Sequence, residues 1–437
     1  MVRSGKVRRG MARGRLAVVA ANFALVLSGC GSEAIDLAGA PDFCQGISPQ
    51  QGFASADSGG VQVITNLRAF RDVNEPVRVS DDPVLTIGLV AGDAEYEFGQ
   101  VNGAARLADG RIVVADGRNF ELRVFDSTGT YIGAHGGQGA GPGEYRFLTA
   151  LFKTEGDVLW IEDTGNQRVT MLDAELAVVA SRSLPTVPWT MGMPDGSERS
   201  GASFVRMKGV FGDGSMLGTH SLRRIRTGEV TNVSRDSLIL RLLPADAQQS
   251  DSLGMILGIQ LYEYYPGDGS VWFGESPFGF VESLAVASDR FYYGDANEFE
   301  IQERRPGGEV ARLIRICESN PDITAERINA LIQARLDGLS DEDRVREEAT
   351  LRAILQPREA PAYLRLIVDE LDRLWARDFT FPGEPQRWKI IDVDGRWLTD
   401  VEMPADIEVM EVGADYVLTR HTTDFGVHTV RLYDVIQ

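Results

Sequence analysis

An internal repeat restricts this chain more than any other feature. Ala108-Asp109-Gly110-Arg111-Ile112-Val113-Val114-Ala115-Asp116 and Glu155-Gly156-Asp157-Val158-Leu159-Trp160-Ile161-Glu162-Asp163 each run from a turn, through an apolar strand, to a terminal aspartate. Asn119 to Asp126 and Asn166 to Asp173 follow in the same order, and the two copies lie 47 residues apart. A period of about 40–50 residues suits a four-stranded antiparallel unit. Such a unit cannot bury its apolar face alone, so it demands neighbours.

Weaker copies continue along the chain. Asp213 to Leu217 opens one, with Ser237 to Leu243 as its next strand, and Ser288 to Asp295 opens another, followed by Glu298 to Ile301. Asp372 to Trp375, Trp388 to Val393 and Asp394 to Leu398 form a further unit. Ile407 to Val412, Tyr416 to Arg420 and Val427 to Val435 make three strands without a fourth. Short β-branched and aromatic runs bounded by Gly, Asp and Asn are strand and turn signals. The expected fold is all-β, a six-bladed β-propeller with blades at about 99–135, 146–184, 203–260, 279–316, 363–403 and 404–436. The last is completed from the other end of the chain, by Val61 to Asn66 or by Val84 to Ile87. Joining N- and C-terminal strands in this way closes the ring and removes its open edges.

Between about 321 and 357 the rhythm changes. Ile328, Leu331, Ile332 and Leu336, then Val345, Ala349, Leu351, Ile354 and Leu355, fall at helical spacing. Thr324 can cap a first helix, and Ser340 with Asp343 a second. A helical hairpin inserted between two blades is expected, as packing over one face, a lid or a partner-binding element.

Val114-Ala115-Asp116, Asp163 to Val169 and the linker Gly136 to Tyr145 resemble NHL repeats. They resemble still more the six-bladed β-propeller lipoproteins of environmental bacteria. The likeness spans nearly the whole mature chain and is sharp between about 99 and 175; the units at 203–260 and 279–316 depart from the pattern. Members of that group mostly lack an assigned activity, so the resemblance implies a fold and no particular chemistry. It also implies that the aspartate of each blade holds a neighbouring turn, or an arginine such as Arg168.

The beginning of the chain is an address. Arg3, Lys6, Arg8, Arg9, Arg13 and Arg15 precede an apolar run from Leu16 to Leu27. That run is too short for a comfortable membrane span of about 20 residues and suits a secretory signal at 1–29. Leu27-Ser28-Gly29-Cys30 resembles a bacterial lipobox, which implies acylation of Cys30 and membrane attachment through that lipid. Gly31, where an aspartate would imply inner-membrane retention, points to an outer-membrane lipoprotein facing the periplasm or the exterior. Residues 30–60 read as a tether. Cys44 within it and Cys317 far downstream could pair in an oxidising compartment, or remain two thiols.

Net charge is −20, and removal of residues 1–29 leaves 38 basic against 64 acidic residues. That excess excludes nucleic acid as a partner, since phosphate binding needs a basic footprint. Candidate chemistry is sparse. Asp116, Asp163 and Asp295 end corresponding strands and could offer a calcium site, although no metal set is complete. The glycine run 136–143 lacks the Gly-Lys-Ser/Thr of a phosphate loop and reads as a blade connection. His421 and His428 flank a turn that also holds Asp424, a thin basis for a metal. His135 and His220 are isolated, the latter able to face a central channel. Trp160, Trp272, Trp375 and Trp397 recur near strand positions, for blade packing or for glycan contact. Catalytic residues are not assignable, and no cofactor is expected.

Two functions fit. The first is a monomeric, lipid-anchored binding or scaffold module for a peptide, glycan or protein ligand. The alternative is a gluconolactonase-like propeller hydrolase or lyase, with calcium or zinc in an acidic channel.

Overall fold

The computed structural model describes residues 41–436 except 46, 48–51, 71–76, 193–197, 222–230, 247–248, 267–271 and 357. The leader and Cys30 lie outside the described residues. Among the described residues, six sheets follow one another along the chain as blades, each antiparallel in its own strands. The first contains Val101–Arg106, Ile112–Asp116, Glu121–Phe125 and Tyr131–Gly136; the second contains Leu148–Thr154, Val158–Asp163, Arg168–Leu172 and Val178–Ser183. The third runs Arg206–Val210, Met216–Ser221, Asn232–Leu243, Asp251–Tyr264 and Trp272–Glu275, longer than the expected 203–260 and with a fifth strand. The fourth is built on Ser283–Val286, Phe291–Gly294, Glu300–Arg304 and Val310–Ile316. Tyr363–Val368, Leu374–Asp378, Gln386–Ile391 and Trp397–Met403 make the fifth. The sixth has only three strands of its own, Ile407–Val412, Tyr416–Thr422 and His428–Ile436.

Leu85–Ile87 completes that last blade. It pairs antiparallel with His428–Ile436, Ile87 opposite Val430 and Leu85 opposite Leu432, while Arg78–Val79 covers the rest of the same edge. Val61–Asn66, the other strand considered for this role, lies elsewhere. It adds in parallel to Val310–Ile316 of the fourth blade, and Phe53–Ser58 pairs outside it. Both early strands alternate well enough to join a sheet, so alternation alone does not choose between edges. Asn66 shows what decides the outcome. Its side chain donates to the carbonyls of Arg315 and Gly395 and accepts from the Trp397 amide, binding the fourth blade to the fifth.

Apolar residues gather at the seams between blades. Val113, Leu122, Leu159 and Leu176 fill the first seam, and Trp160, Val169 and Met207 the second. Phe211, Leu240 and Phe291 occupy the third, and Tyr292, Ile314 and Tyr363 the fourth. Trp375, Trp388 and Tyr433 pack between the fifth and sixth blades. Ile87, Phe98, Phe125 and Leu418 join the sixth blade to the first. Each blade thus buries its two faces against two different neighbours, and the ring has no end.

Two helices interrupt the ring between the fourth and fifth blades: α1, Ala325–Leu336, and α2, Asp341–Ile354. Thr324 accepts from the Arg327 amide and Ser340 from the Asp343 amide, each satisfying an N-terminal donor of its helix. Ile328, Ile332, Leu336, Leu351 and Ile354 pack against Tyr262, Phe278, Leu364 and Phe379. These partners lie toward the end at which the innermost strands begin. The hairpin therefore packs against the third and fifth blades on that side of the ring, and none of its residues lines the central channel.

Cys44 and Cys317 are joined by a disulfide, their Cα atoms 5.8 Å apart, buried beside Leu67. The Cys317 amide donates to the carbonyl of Asn66, so the bridge and the added strand reinforce each other. The bond links residues 273 apart in sequence and removes much of the unfolded chain's freedom. Replacing both cysteines by serine should lower stability by about 3–5 kcal/mol. Chemical denaturation checks this: reductant should shift the wild-type midpoint by a similar amount and leave the variant unmoved.

Candidate functional site

The innermost strands of all six blades enclose a channel of about 1040 Å³. Its walls are Ala104 to Ala108, Leu151 to Asp157, Lys208 to Val210 with Gly212, Val281 to Ser288, Leu364 to Glu370 and Met410 to Val412. These are the ends of first strands and the turns that follow them. In a propeller that position converges on the axis because every blade contributes the same local element. Acidic side chains outnumber basic ones on the lining by eight to four.

The basic residues are matched by neighbours. Lys208 pairs with Glu282, Arg365 with Glu408 outside the lining, and Arg106 with Asp415 at 3.6 Å. Lys153 is the most heavily engaged. Its ammonium reaches the Glu411 carboxylate at 2.5 Å, the Glu370 carboxylate at 2.8 Å and the Arg106 carbonyl at 2.5 Å. Three short contacts use its three donors. Glu411 also accepts from the Arg106 amide at 2.7 Å, and the Tyr416 hydroxyl donates to Glu370 at 3.3 Å. Residues from the first, second, fifth and sixth blades thus meet at one point of the wall.

Burial pushes the Glu411 carboxyl up, more than the Lys153 charge pulls it down. At Glu370 burial also pushes up, but the Lys153 hydrogen bond and charge outweigh it and hold the carboxyl low. Burial alone would lower Lys153, yet Glu411 and Glu370 keep it above the ordinary lysine value. A nucleophilic lysine needs the reverse. This group is a fixed cation holding two carboxylates, suited to shaping the wall and its charge. Lys153→Met should destabilise the protein by about 2–4 kcal/mol by leaving those carboxylates unmatched. Protonation relieves unmatched carboxylates, so the deficit should shrink toward about pH 5 and grow toward about pH 8. Thermal melts of both proteins across that range check the sign.

The aspartates singled out by the repeat lie elsewhere. Asp116 is fully buried and accepts from the amides of Gly99 and Gln100 and from the Asn119 side chain. Asp163 does the same with the amides of Arg146, Phe147 and Asn166 and the Asn166 side chain. Arg123 donates to the carbonyls of Ala94, Glu95 and Glu97, and Arg168 to those of Ala140, Gly141 and Glu144. Aspartate, asparagine and arginine together clasp the strand connections that enter the first and second blades. The glycine run 136–143 is one of these connections, held by the Arg168 bonds. Asp295 accepts from the amide and side chain of Asn297, a local turn. None of the three lines the channel, and no group of three or more metal-ligating side chains is assembled among the described residues.

Histidines do not converge either. His421 contacts Asp406 at 2.7 Å and the Thr429 hydroxyl at 3.4 Å, whereas His428 accepts from the Val101 amide at 2.9 Å. His220 is buried on the second strand of its blade, off the channel wall, and His135 is exposed. Trp375 is fully buried and donates to Asp369 at 2.7 Å; Trp397 donates to Asp400; Trp272 lies under the guanidinium of Arg346 on α2. Trp160 packs in the second seam and donates to Thr154.

Lys153, Glu370, Glu411 and Tyr416 escaped the sequence reading. One signal pointed to part of the group: Arg106 and Lys153 are themselves 47 residues apart, so the repeat puts both at the same place on the wall. Nothing comparable relates Glu370 or Glu411 to them.

Residues 93–191 match the model of the DUF5128 family, described as a 6-bladed beta-propeller. The chain is a six-bladed β-propeller. The matched residues span the first two blades of the ring, where the repeat is clearest. Solved structures similar to it include a member of the DUF4221 family from Bacteroides vulgatus, with 10% identity, 83% of this chain and 99% of that one covered, and a TM-score of 0.45. A gluconolactonase from Xanthomonas campestris has 14% identity, 82% and 97% coverage and a TM-score of 0.35. Regucalcin from Agrobacterium tumefaciens has 11% identity, 81% and 97% coverage and a TM-score of 0.35. No curated protein matches this propeller by sequence.

Asp163→Ala strips a buried acceptor from three backbone amides and should cost the propeller about 2–4 kcal/mol. Differential scanning calorimetry with calcium and with chelator should show the same loss in both; rescue by calcium would return Asp163 to the metal candidates.

Proposed function

We propose that this propeller is a binding module of the cell envelope, anchored by lipid on Cys30, whose open channel mouth receives cationic ligands such as basic peptide segments or small amines. The acidic excess at that mouth carries the reading. Glu155 and Asp157 lie on the turns there, beside Glu370, Asp372 and Asp415, which pair with Lys153, Arg290 and Arg106, so the excess rests on the first two. A cleft lined by one sign of charge concentrates ligands of the other. The turns that carry these carboxylates lie at the end of the channel away from the helical hairpin.

The envelope address is supported by the leader and by the Cys44–Cys317 bond, which fits an oxidising compartment. Cys30→Ser should move the protein from the membrane pellet to the soluble fraction. The metal-dependent alternative calls for a ligand set in the channel, and no such group is assembled among the described residues.

Thermal-shift titration tests the ligand class. Spermine and an oligolysine peptide should raise the melting temperature in low salt, and added salt should weaken the effect. Glu155→Gln with Asp415→Asn should reduce it, both side chains being exposed. Equal stabilisation by citrate, or stabilisation only by calcium or zinc, would overturn the reading.

A further inference from the structure

A lateral cleft of about 400 Å³ opens between the second and third blades. Trp160, Val169, Met171, Phe211 and Ala180 line it. Its origin is a difference between two seams. The turn joining third and fourth strands in the second blade drives Leu176 into the first seam's apolar cluster. The same turn of the third blade presents Ala245 to the second seam, next to Gly214, which adopts a φ of +81°. Trp160 is left with open space over its ring instead of a packed leucine.

This cleft adjoins the channel mouth, and Thr154, Glu155 and Gly212 line both. Acids outnumber bases at the junction: Glu155 and Asp213 are exposed there, and the one lining cation, Arg182, is turned onto the carbonyls of Gly214 and Pro244. An aromatic-floored hollow beside an acidic rim matches a molecule with one positive and one apolar end.

We infer that the cleft holds the apolar arm of a small organic cation whose charged head sits at Glu155. This rests on the reading of the mouth as cation-binding and names the ligand's second half. A purely polar amine would use the mouth alone; an amphiphilic one uses both.

Calorimetric titration with phenylbutylamine, butylamine and phenylbutyrate tests it on wild type, Ala180→Phe, Ala245→Leu and Glu155→Gln. Phenylbutylamine should bind at least about tenfold more tightly than butylamine, and phenylbutyrate should not bind. Ala180→Phe and Ala245→Leu fill the cleft from opposite walls, at half-exposed and exposed positions, and each should bring phenylbutylamine down to the level of butylamine. Glu155→Gln should weaken both amines. Melting curves establish that the variants fold; should one fail, the other stands in for it. If spermine and butylamine bind while the phenyl arm adds nothing, or the filled variants bind phenylbutylamine as wild type does, the cleft assignment falls and the mouth reading stands. If phenylbutyrate binds and no amine does, both fall.

Discussion

The short antiparallel pairing of Leu85–Ile87 with His428–Ile436 is the contact on which the ring depends. Five blades are complete within consecutive stretches of chain, and each seam between them can form as its two blades meet. The sixth cannot be completed locally. Without the early strand the last blade would expose a full edge of backbone donors and acceptors beside the apolar residues Val430 and Leu432. The same pairing sets Ile87 and Phe98 into the seam between first and last blades, so closure of the sheet and closure of the core are one event. The Val61–Asn66 strand and the Cys44–Cys317 bond then act as a second clasp two seams away.

Polar residues in this propeller serve two purposes that look alike in sequence. Asp116 and Asp163 are aspartates at strand ends, yet they are consumed by backbone amides that would otherwise be buried unpaired. Glu370, on a turn, and Glu411, at the end of an innermost strand, line the channel, where Lys153 gathers them. Burial of the first pair makes them structural. Position on the wall makes the second pair part of a surface a ligand can meet. The distinction lies in which strand each ends: Asp116 and Asp163 close second strands, Glu370 and Glu411 stand at or just past the ends of first strands, and antiparallel neighbours end on opposite sides of the disc.

Much of the architecture was legible from the repeat. The 47-residue offset located the first two blades, the Asp-to-Asp spacing placed their turns, and helical periodicity with Thr324 and Ser340 caps located α1 and α2. The third blade was harder to bound, because its long strands and extra Trp272–Glu275 strand break the period. The candidate site was mostly hidden. Arg106 and Lys153 could have been aligned by the repeat, but the carboxylates they meet lie more than two hundred residues away along the chain.

The amino-acid sequence by itself determined that this chain builds four-stranded units and needs several of them, because each unit hides only half of its apolar surface. It also determined the acidic balance and the presence of Cys44 and Cys317, two cysteines able to meet. Tertiary structure alone decided which early strand closes the ring, that Cys44 reaches Cys317, which turns converge on the axis, and that a cleft opens beside Trp160. Those outcomes depend on how blades pack around a circle, where residues distant in sequence become neighbours through a rotation that no local pattern records.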